Sequence, residues 1–192
     1  PESIINRILW NVLSRFAKQD IESRHIKMIR EFALEASNGN VISLPFKVKV
    51  SKEYDYITIG YLKKNQLTGE YVFRSGRLKI EGYGTIRSTS SKVLTEPKMH
   101  QHIIDADKIP TDAIWRFRKD GDTFAPLGLG GSKKLKDYFI DKKIPQRMRG
   151  NIPVLASGNK ILIVADIEIA DELKITEDTR RYYKVNYEKD VV

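Results

Sequence analysis

Two hydrophobic periods divide the chain. Near the N-terminus Ile4, Ile5, Ile8, Leu9, Val12, Leu13 and Phe16 recur at spacings of three and four, the pattern of a helix with one buried apolar face. After a polar break at 18–20, Ile26, Ile29, Phe32, Ala33 and Ala36 predict a second helix, ended by the polar run 37–40 with Gly39 as its cap. This opening reads as a helical hairpin, with Trp10 in its core and His25 packed or half-exposed on the second helix. From Val41 the period falls to two. Residues 41–46, 47–51 and 56–60 read as short strands, and further strands are expected at 70–73, 77–82, 84–94, 102–107, 114–119, 152–156, 160–164 and 182–187. Only 132–143 reads as a strong helix in the second half, with Ser132 at its N-cap and Leu135, Tyr138 and Phe139 on its inner face.

The fold class implied is α+β in two unequal parts: a helical hairpin with a short β segment over 1–65, then a β-rich domain with one prominent helix over 66–192. The turn-rich segment 63–69 is the expected boundary. No apolar run approaches the roughly 18–20 residues that span a bilayer, and the polar interruptions at Asn6, Arg7 and Asn11 argue against a signal peptide. The chain starts at Pro1, without an initiator methionine, and is expected to be part of a longer protein.

Charge changes the picture. The net formal charge is +9, which points to a polyanionic partner and says nothing of fold. The excess is local, for residues 116–149 hold ten basic and four acidic side chains. The cations are Arg116, Arg118, Lys119, Lys133, Lys134, Lys136, Lys142, Lys143, Arg147 and Arg149. On a strand, Arg116 and Arg118 would face solvent together while Trp115 and Phe117 face a core. On the expected helix, Lys133, Lys136 and Lys143 would form an outer stripe. An isolated lysine run is most often a solvated face. Clustering with arginine forks, which suit phosphate oxygens, favours anion binding.

The glycine loop GLGGSKKLKDYF at 128–139 holds neither nucleotide fingerprint. Both the mononucleotide P-loop and the dinucleotide pattern, counted from Gly128, require glycine where Lys133 stands. The simpler reading is a flexed loop that delivers a basic helix, with Gly121, Asp122, Gly128 and Gly131 as structural turn residues. With no cysteine, disulfides, thiolate zinc sites and cysteine nucleophiles are excluded. His100 and His102 read as a surface strand rather than a metal site. Asp120 and Asp122 read as turn carboxylates more than as an acid–base pair, and 166–172 as a solvated loop and strand edge. Tyr182 and Tyr183 are expected in strand packing.

The C-terminal residues carry a resemblance. Arg116, Arg118, Gly121, Asp122, Phe124, Pro126, Leu127, Gly128, Lys133 to Asp137, Phe139 to Asp141, Lys143 to Pro145, Arg149, Thr176 and Thr179 follow the R-x-R, G-D-x-F-x-P-L-G, K-K-L-K-D-x-F-I-D-x-K-I-P and T-x-x-T pattern of the C-terminal domain of bacterial tRNA(Ile)-lysidine synthetases. Asp120 stands where that family usually has proline. The likeness covers roughly 103–187 and is weaker earlier, where 1–65 is similar to the family's substrate-binding segment.

The resemblance implies an ATP- and Mg-dependent C–N ligase. Such an enzyme activates C2 of the wobble cytidine in the CAU anticodon of an isoleucine tRNA and attaches lysine, releasing AMP and pyrophosphate. The family's S-G-G-x-D-S loop is not in this sequence. The implied role is therefore a tRNA grip, inactive alone, in a cytoplasmic protein without a membrane partner; a homodimeric parent stays open. The implied tRNA-binding residues are Arg116, Arg118, Lys133, Lys134, Lys136, Lys142, Lys143, Arg147 and Arg149, with no catalytic or metal residue in the chain. A compact fold like that of an editing-type domain of the phenylalanyl-tRNA synthetase β chain is the associated analogy. Two rivals are an autonomous nucleic-acid-binding module unrelated to tRNA modification, and a small enzyme acting on a phosphorylated metabolite. The second rival predicts a deep pocket beside Ser132.

Overall fold

The structure is a computed structural model that describes residues 2–16, 21–61 and 67–190. The chain forms two compact units, 1–65 and 66–192. Most of the turn-rich segment 63–69 lies outside the described residues.

In the first unit, α1 (Glu2–Leu13) and α2 (Ser23–Glu35) cover a three-stranded antiparallel sheet of β1 (Val41–Ser43), β2 (Lys49–Glu53) and β3 (Tyr56–Gly60). Leu13, Ile26, Ile29, Val48 and Val50 are buried between them. His25 is buried as well, because its Nδ1 accepts the Glu22 N–H at 3.1 Å and so caps the start of α2. Gly39 is not the cap of this helix. The C-cap is Ala36, and Gly39 (φ 87°) instead donates its N–H to the Lys52 carbonyl in the turn beyond. The apolar face of α1 is real, but only its C-terminal end is covered. Leu9, Leu13 and Phe16 join the core, whereas Ile4, Ile5 and Ile8 are 54%, 48% and 56% exposed and Trp10 is exposed too.

The second unit has three layers. One sheet has the order β5 (Gly76–Ile80), β6 (Gly84–Ser91), β14 (Tyr182–Lys189), β7 (Gln101–Asp105), all antiparallel. The other runs β10 (Lys133–Lys134), β9 (Thr123–Phe124), β12 (Lys160–Val164), β11 (Val154–Ser157), β8 (Ile114–Arg116), β4 (Glu70–Val72), with β13 (Glu168–Ile169) paired to β12. Only the β9–β12 pairing is parallel among the described strands.

Side-chain direction along β11 and β12, with a bulge opposite Leu155 and Ala156 that leaves both Leu162 and Ile163 on one side, explains the stacking. Leu155, Leu162 and Ile163 join Trp115, Ile86, Ile104 and Val185 in the core between the sheets. Val154, Ala156, Ile161 and Val164 face the other way, under α3 (Leu135–Asp141). A strand covered on both faces needs an apolar run, and 161–164 is one. At Gly84 (φ 137°) an added Cβ would stand 2.1 Å from the Glu188 carbonyl, so the close approach of β6 to β14 requires glycine there.

Candidate nucleic-acid interface

Arg116 does not reach solvent. The core between the sheets lies on one side of β8, the 117–122 turn and the Gly158 turn enclose Arg116 on the other, and its side chain is 2% exposed. Its Nη1 and Nη2 donate to Asp122 Oδ2 and Oδ1 at 2.9 and 2.7 Å, and to the Phe117 and Gly158 carbonyls at 2.9 Å each. Asp122 Oδ2 also accepts the Lys119 N–H at 2.7 Å, and the Asp122 carbonyl accepts the Leu135 N–H at 2.9 Å. Arg116 is thus a fork–fork clasp that closes the 117–122 turn and sets the start of α3. It is removed from the predicted contact set, and the paired outward projection with Arg118 is corrected, since the strand ends at Arg116.

The basic helix is shorter than its sequence suggests. Lys133 and Lys134 pair with Phe124 and Thr123 as β10, so the helix begins at Leu135 and Ser132 does not cap it. Leu135, Tyr138 and Phe139 face inward as the spacing predicts. The continuous stripe of Lys133, Lys136 and Lys143 does not form, since Lys133 precedes the helix and Lys143 follows it with φ 51°. A four-residue helix, α4 (Gln146–Arg149), carries Arg147 and Arg149.

Ion pairing then sorts the cations. Lys133 Nζ holds Asp141 at 2.8 Å, and Lys119 Nζ holds Glu70 at 2.6 Å. Lys142 Nζ meets Glu168 Oε2 at 2.8 Å and lies 5.5 Å from the Tyr138 ring centroid. Tyr138 donates to that same carboxylate at 2.7 Å. Burial first, and then Glu168, push the Tyr138 hydroxyl far up, so it remains a donor. Arg149 Nε donates to the Ile144 carbonyl at 2.7 Å. Lys134, Lys136, Lys143 and Arg147 are exposed and Arg118 half-buried, none with an ion-pair partner among the described residues. These are the groups available to an external anion.

The glycine loop is stitched down from outside its own sequence. Leu127 donates to the Ile169 carbonyl at 3.2 Å, Gly128 N–H to Asp171 Oδ1 at 3.1 Å, and Asp171 N–H to the Ala125 carbonyl at 2.9 Å. Gly121 and Gly128 have φ of 88° and 77°, as turn residues should, while Gly131 has no such requirement. Residues 127–132 are all exposed, and an added Cβ at Gly128, Gly130 or Gly131 meets nothing within 4 Å. That openness counts against a walled metabolite site beside Ser132. Glu168 and Asp171, which organise the basic segment, were invisible to sequence reasoning because they lie some thirty to forty residues away.

Residues outside the patch are structural. His100 Nδ1 sits 2.8 Å from Asp166 and His102 Nδ1 3.0 Å from the Tyr187 hydroxyl. Segment 166–172 is more than a solvated edge, for it contains β13 and the buried Ala170. Thr179, buried, accepts the Thr176 N–H and donates to Asp105 at 2.7 Å. Tyr183 packs edge-on to Phe73 with ring centroids 5.0 Å apart. Among the described residues no group of three or more His, Asp or Glu is placed to hold a metal, and no helix is long and apolar enough to cross a membrane.

Residues 113–186, which include the clasp, the glycine loop and α3, match the model of a family described as the TilS substrate C-terminal domain. Over this segment the chain is similar to the TilS C-terminal domain family. Full-length relatives agree with this. A tRNA(Ile)-lysidine synthase of Clostridium tetani is 31% identical over 97% of this chain and 42% of its own length. One of Dehalococcoides mccartyi is 32% identical over 88% of this chain and 38% of its own length. The chain therefore spans less than half of these TilS relatives. A crystal structure of a TILS C-terminal domain superposes with a TM-score of 0.56 at 23% identity, covering 65% of this chain and 99% of that one. It shares the mixed α+β fold.

Proposed function

We propose that this chain is the tRNA-binding part of a tRNA(Ile)-lysidine synthase, and that Lys134, Lys136, Lys143, Arg147 and Arg118 are its phosphate contacts. The observation that carries the reading is the set of cations with no ion pair among the described residues, on a segment whose other cations are bonded internally. Such a surface suits phosphates and the shape of a folded RNA more than its sequence. The ligation of lysine to the wobble cytidine of the CAU-anticodon isoleucine tRNA, with ATP and Mg, belongs in this reading to a part of the enzyme outside these 192 residues. The chain alone is then a grip without ligase activity, in a cytoplasmic enzyme.

The test is binding of the 192-residue chain to the CAU-anticodon isoleucine tRNA and to methionine tRNA across a salt series. Each phosphate contact contributes a slope of roughly 0.7–0.9 in log K against log salt. Lys134→Glu with Lys136→Glu should flatten that slope for both tRNAs. An unchanged slope and affinity would remove these lysines from the interface.

A further inference from the structure

The hairpin loop between β1 and β2 is built against backbone preference. Ser43 and Lys49 pair at the end of the ladder. Leu44 and Val48, just beyond them, are buried in the core of the first unit and joined by the Leu44 N–H to the Val48 carbonyl at 2.8 Å. Pro45, Phe46 and Lys47 are left to turn the chain. Phe46 and Lys47 both lie in the left-handed region, with φ of 67° and 62°. That region is costly for any residue with a Cβ and an outlier for a bulky one, and hairpin loops favour glycine or asparagine there. A loop that keeps phenylalanine and lysine holds strain that glycine would relieve, and such strain gathers at ligand contacts.

The core makes little use of either side chain. The Phe46 ring stands edge-on to His25, with centroids 6.4 Å apart, and the residue is still 37% exposed. Lys47 and Lys49 are exposed, and neither side chain has a hydrogen bond or ion pair among the described residues. No Asp or Glu occurs from 36 to 52. Glu22, which caps the turn of α2 that carries His25, is already held by Arg24 at 2.8 Å. The loop therefore offers an open aromatic ring and uncompensated positive charge on a short, pinned support. Stacking of a base on such a ring, with a cation on the adjoining phosphate, is how proteins hold unpaired nucleotides. The loop belongs to the first unit, and the lysines of β10 and α3 to the second.

We propose that this hairpin loop is a contact for one unpaired nucleotide of an RNA, its base on the Phe46 ring and its phosphate on Lys47. The proposal rests on the RNA-binding function proposed above and adds single-stranded RNA to what the chain recognises.

Titration of the 192-residue chain with a fluorescent single-stranded adenylate hexamer and with a short blunt RNA duplex tests it. The hexamer is titrated into the chain carrying Lys134→Glu and Lys136→Glu, so that those lysines do not compete, and the duplex into the unaltered chain. Phe46→Gly should weaken the hexamer at least about fivefold, the lower end of what one base stacked on an aromatic ring contributes. Its salt slope should stay the same, and the duplex should be unaffected. Phe46→Leu, which keeps an apolar side chain without a ring face, should show the same loss and serves if Phe46→Gly melts early. Lys47→Gly should lower the hexamer's salt slope by roughly 0.7, and should melt no earlier than wild type because glycine accepts this backbone. Hexamer affinity untouched by the Phe46 variants, an equal loss for the duplex, or early melting of Lys47→Gly overturns the loop contact. So does a chain that binds tRNA but not the hexamer. A chain that binds neither tRNA nor duplex, while its hexamer binding still depends on Phe46, overturns the function proposed above and leaves the loop contact standing.

Discussion

Arg116 and Lys136 are twenty positions apart in the same basic segment, and they do opposite things. Arg116 is buried under the turn that follows it, its hydrogen bonds given to Asp122 and to the Phe117 and Gly158 carbonyls. Lys136 stands exposed on α3 with no ion-pair partner among the described residues. Asp122 connects the two roles, its carboxylate gripping Arg116 and its carbonyl receiving the first N–H of α3. One cation shapes the scaffold and the other is presented by it. Density of charge along a sequence therefore does not measure the charge a partner meets.

Breaking the inward half should have the largest effect. Asp122→Ala leaves Arg116 as an uncompensated buried cation, and loss of about 3–5 kcal/mol is expected in chemical denaturation. A loss under about 0.5 kcal/mol, ordinary for a surface change, would show that the clasp is solvated. The outward half should invert this behaviour. Lys134→Glu with Lys136→Glu should leave stability within about 0.5 kcal/mol while lowering the tRNA salt slope by roughly 1.4–1.8 if each lysine meets one phosphate.

A third comparison uses acid. Asp105 is another inward carboxylate; burial alone would raise its pKa, but Thr179, the Asp107 N–H and Lys108 outweigh that and hold it below the usual range. A depressed folded pKa gives stability that is complete above the unfolded value, about 3.9, and is lost as pH falls through the folded one. Asp105→Asn should therefore flatten the acid limb of a stability–pH curve below about pH 4, while the lysine variants leave its shape alone. Within the glycine loop the two turn glycines should separate, and Gly131 should show the smallest effect of all. Gly128→Ala, at φ 77°, should cost about 1–2 kcal/mol. Gly131→Ala, with open space and no positive φ, should be close to neutral.

The strands and the inner face of α3 were legible because they rest on local periodicity. Leu135, Tyr138 and Phe139 fall where the spacing puts them. The errors share a different cause. Alternation at Trp115, Arg116 and Phe117 says that neighbours face apart, but not that the 117–122 turn and Gly158, distant in sequence, close over Arg116. Lys133 and Lys134 carry good helix propensity, yet Thr123 and Phe124 recruit them into a strand. On α1 the heptad-like spacing was correct while burial was not, since amphipathicity shows which side is apolar and not what covers it. The partners that decide which lysines are free, Asp141 excepted, lie far along the chain at Glu70 and Glu168.

The position of β14 has a consequence for how the molecule is made. Of the described strands of this sheet, β14 comes last in sequence, yet it lies inside the sheet, between β6 and β7. During synthesis from the N-terminus the sheet has a gap until residues 182–189 emerge, and two neighbouring strands wait with open edges. The four-stranded sheet thus closes like a zip whose slider is β14. A chain stopped even a few residues before Tyr182 should expose those edges and aggregate rather than yield a slightly shorter domain.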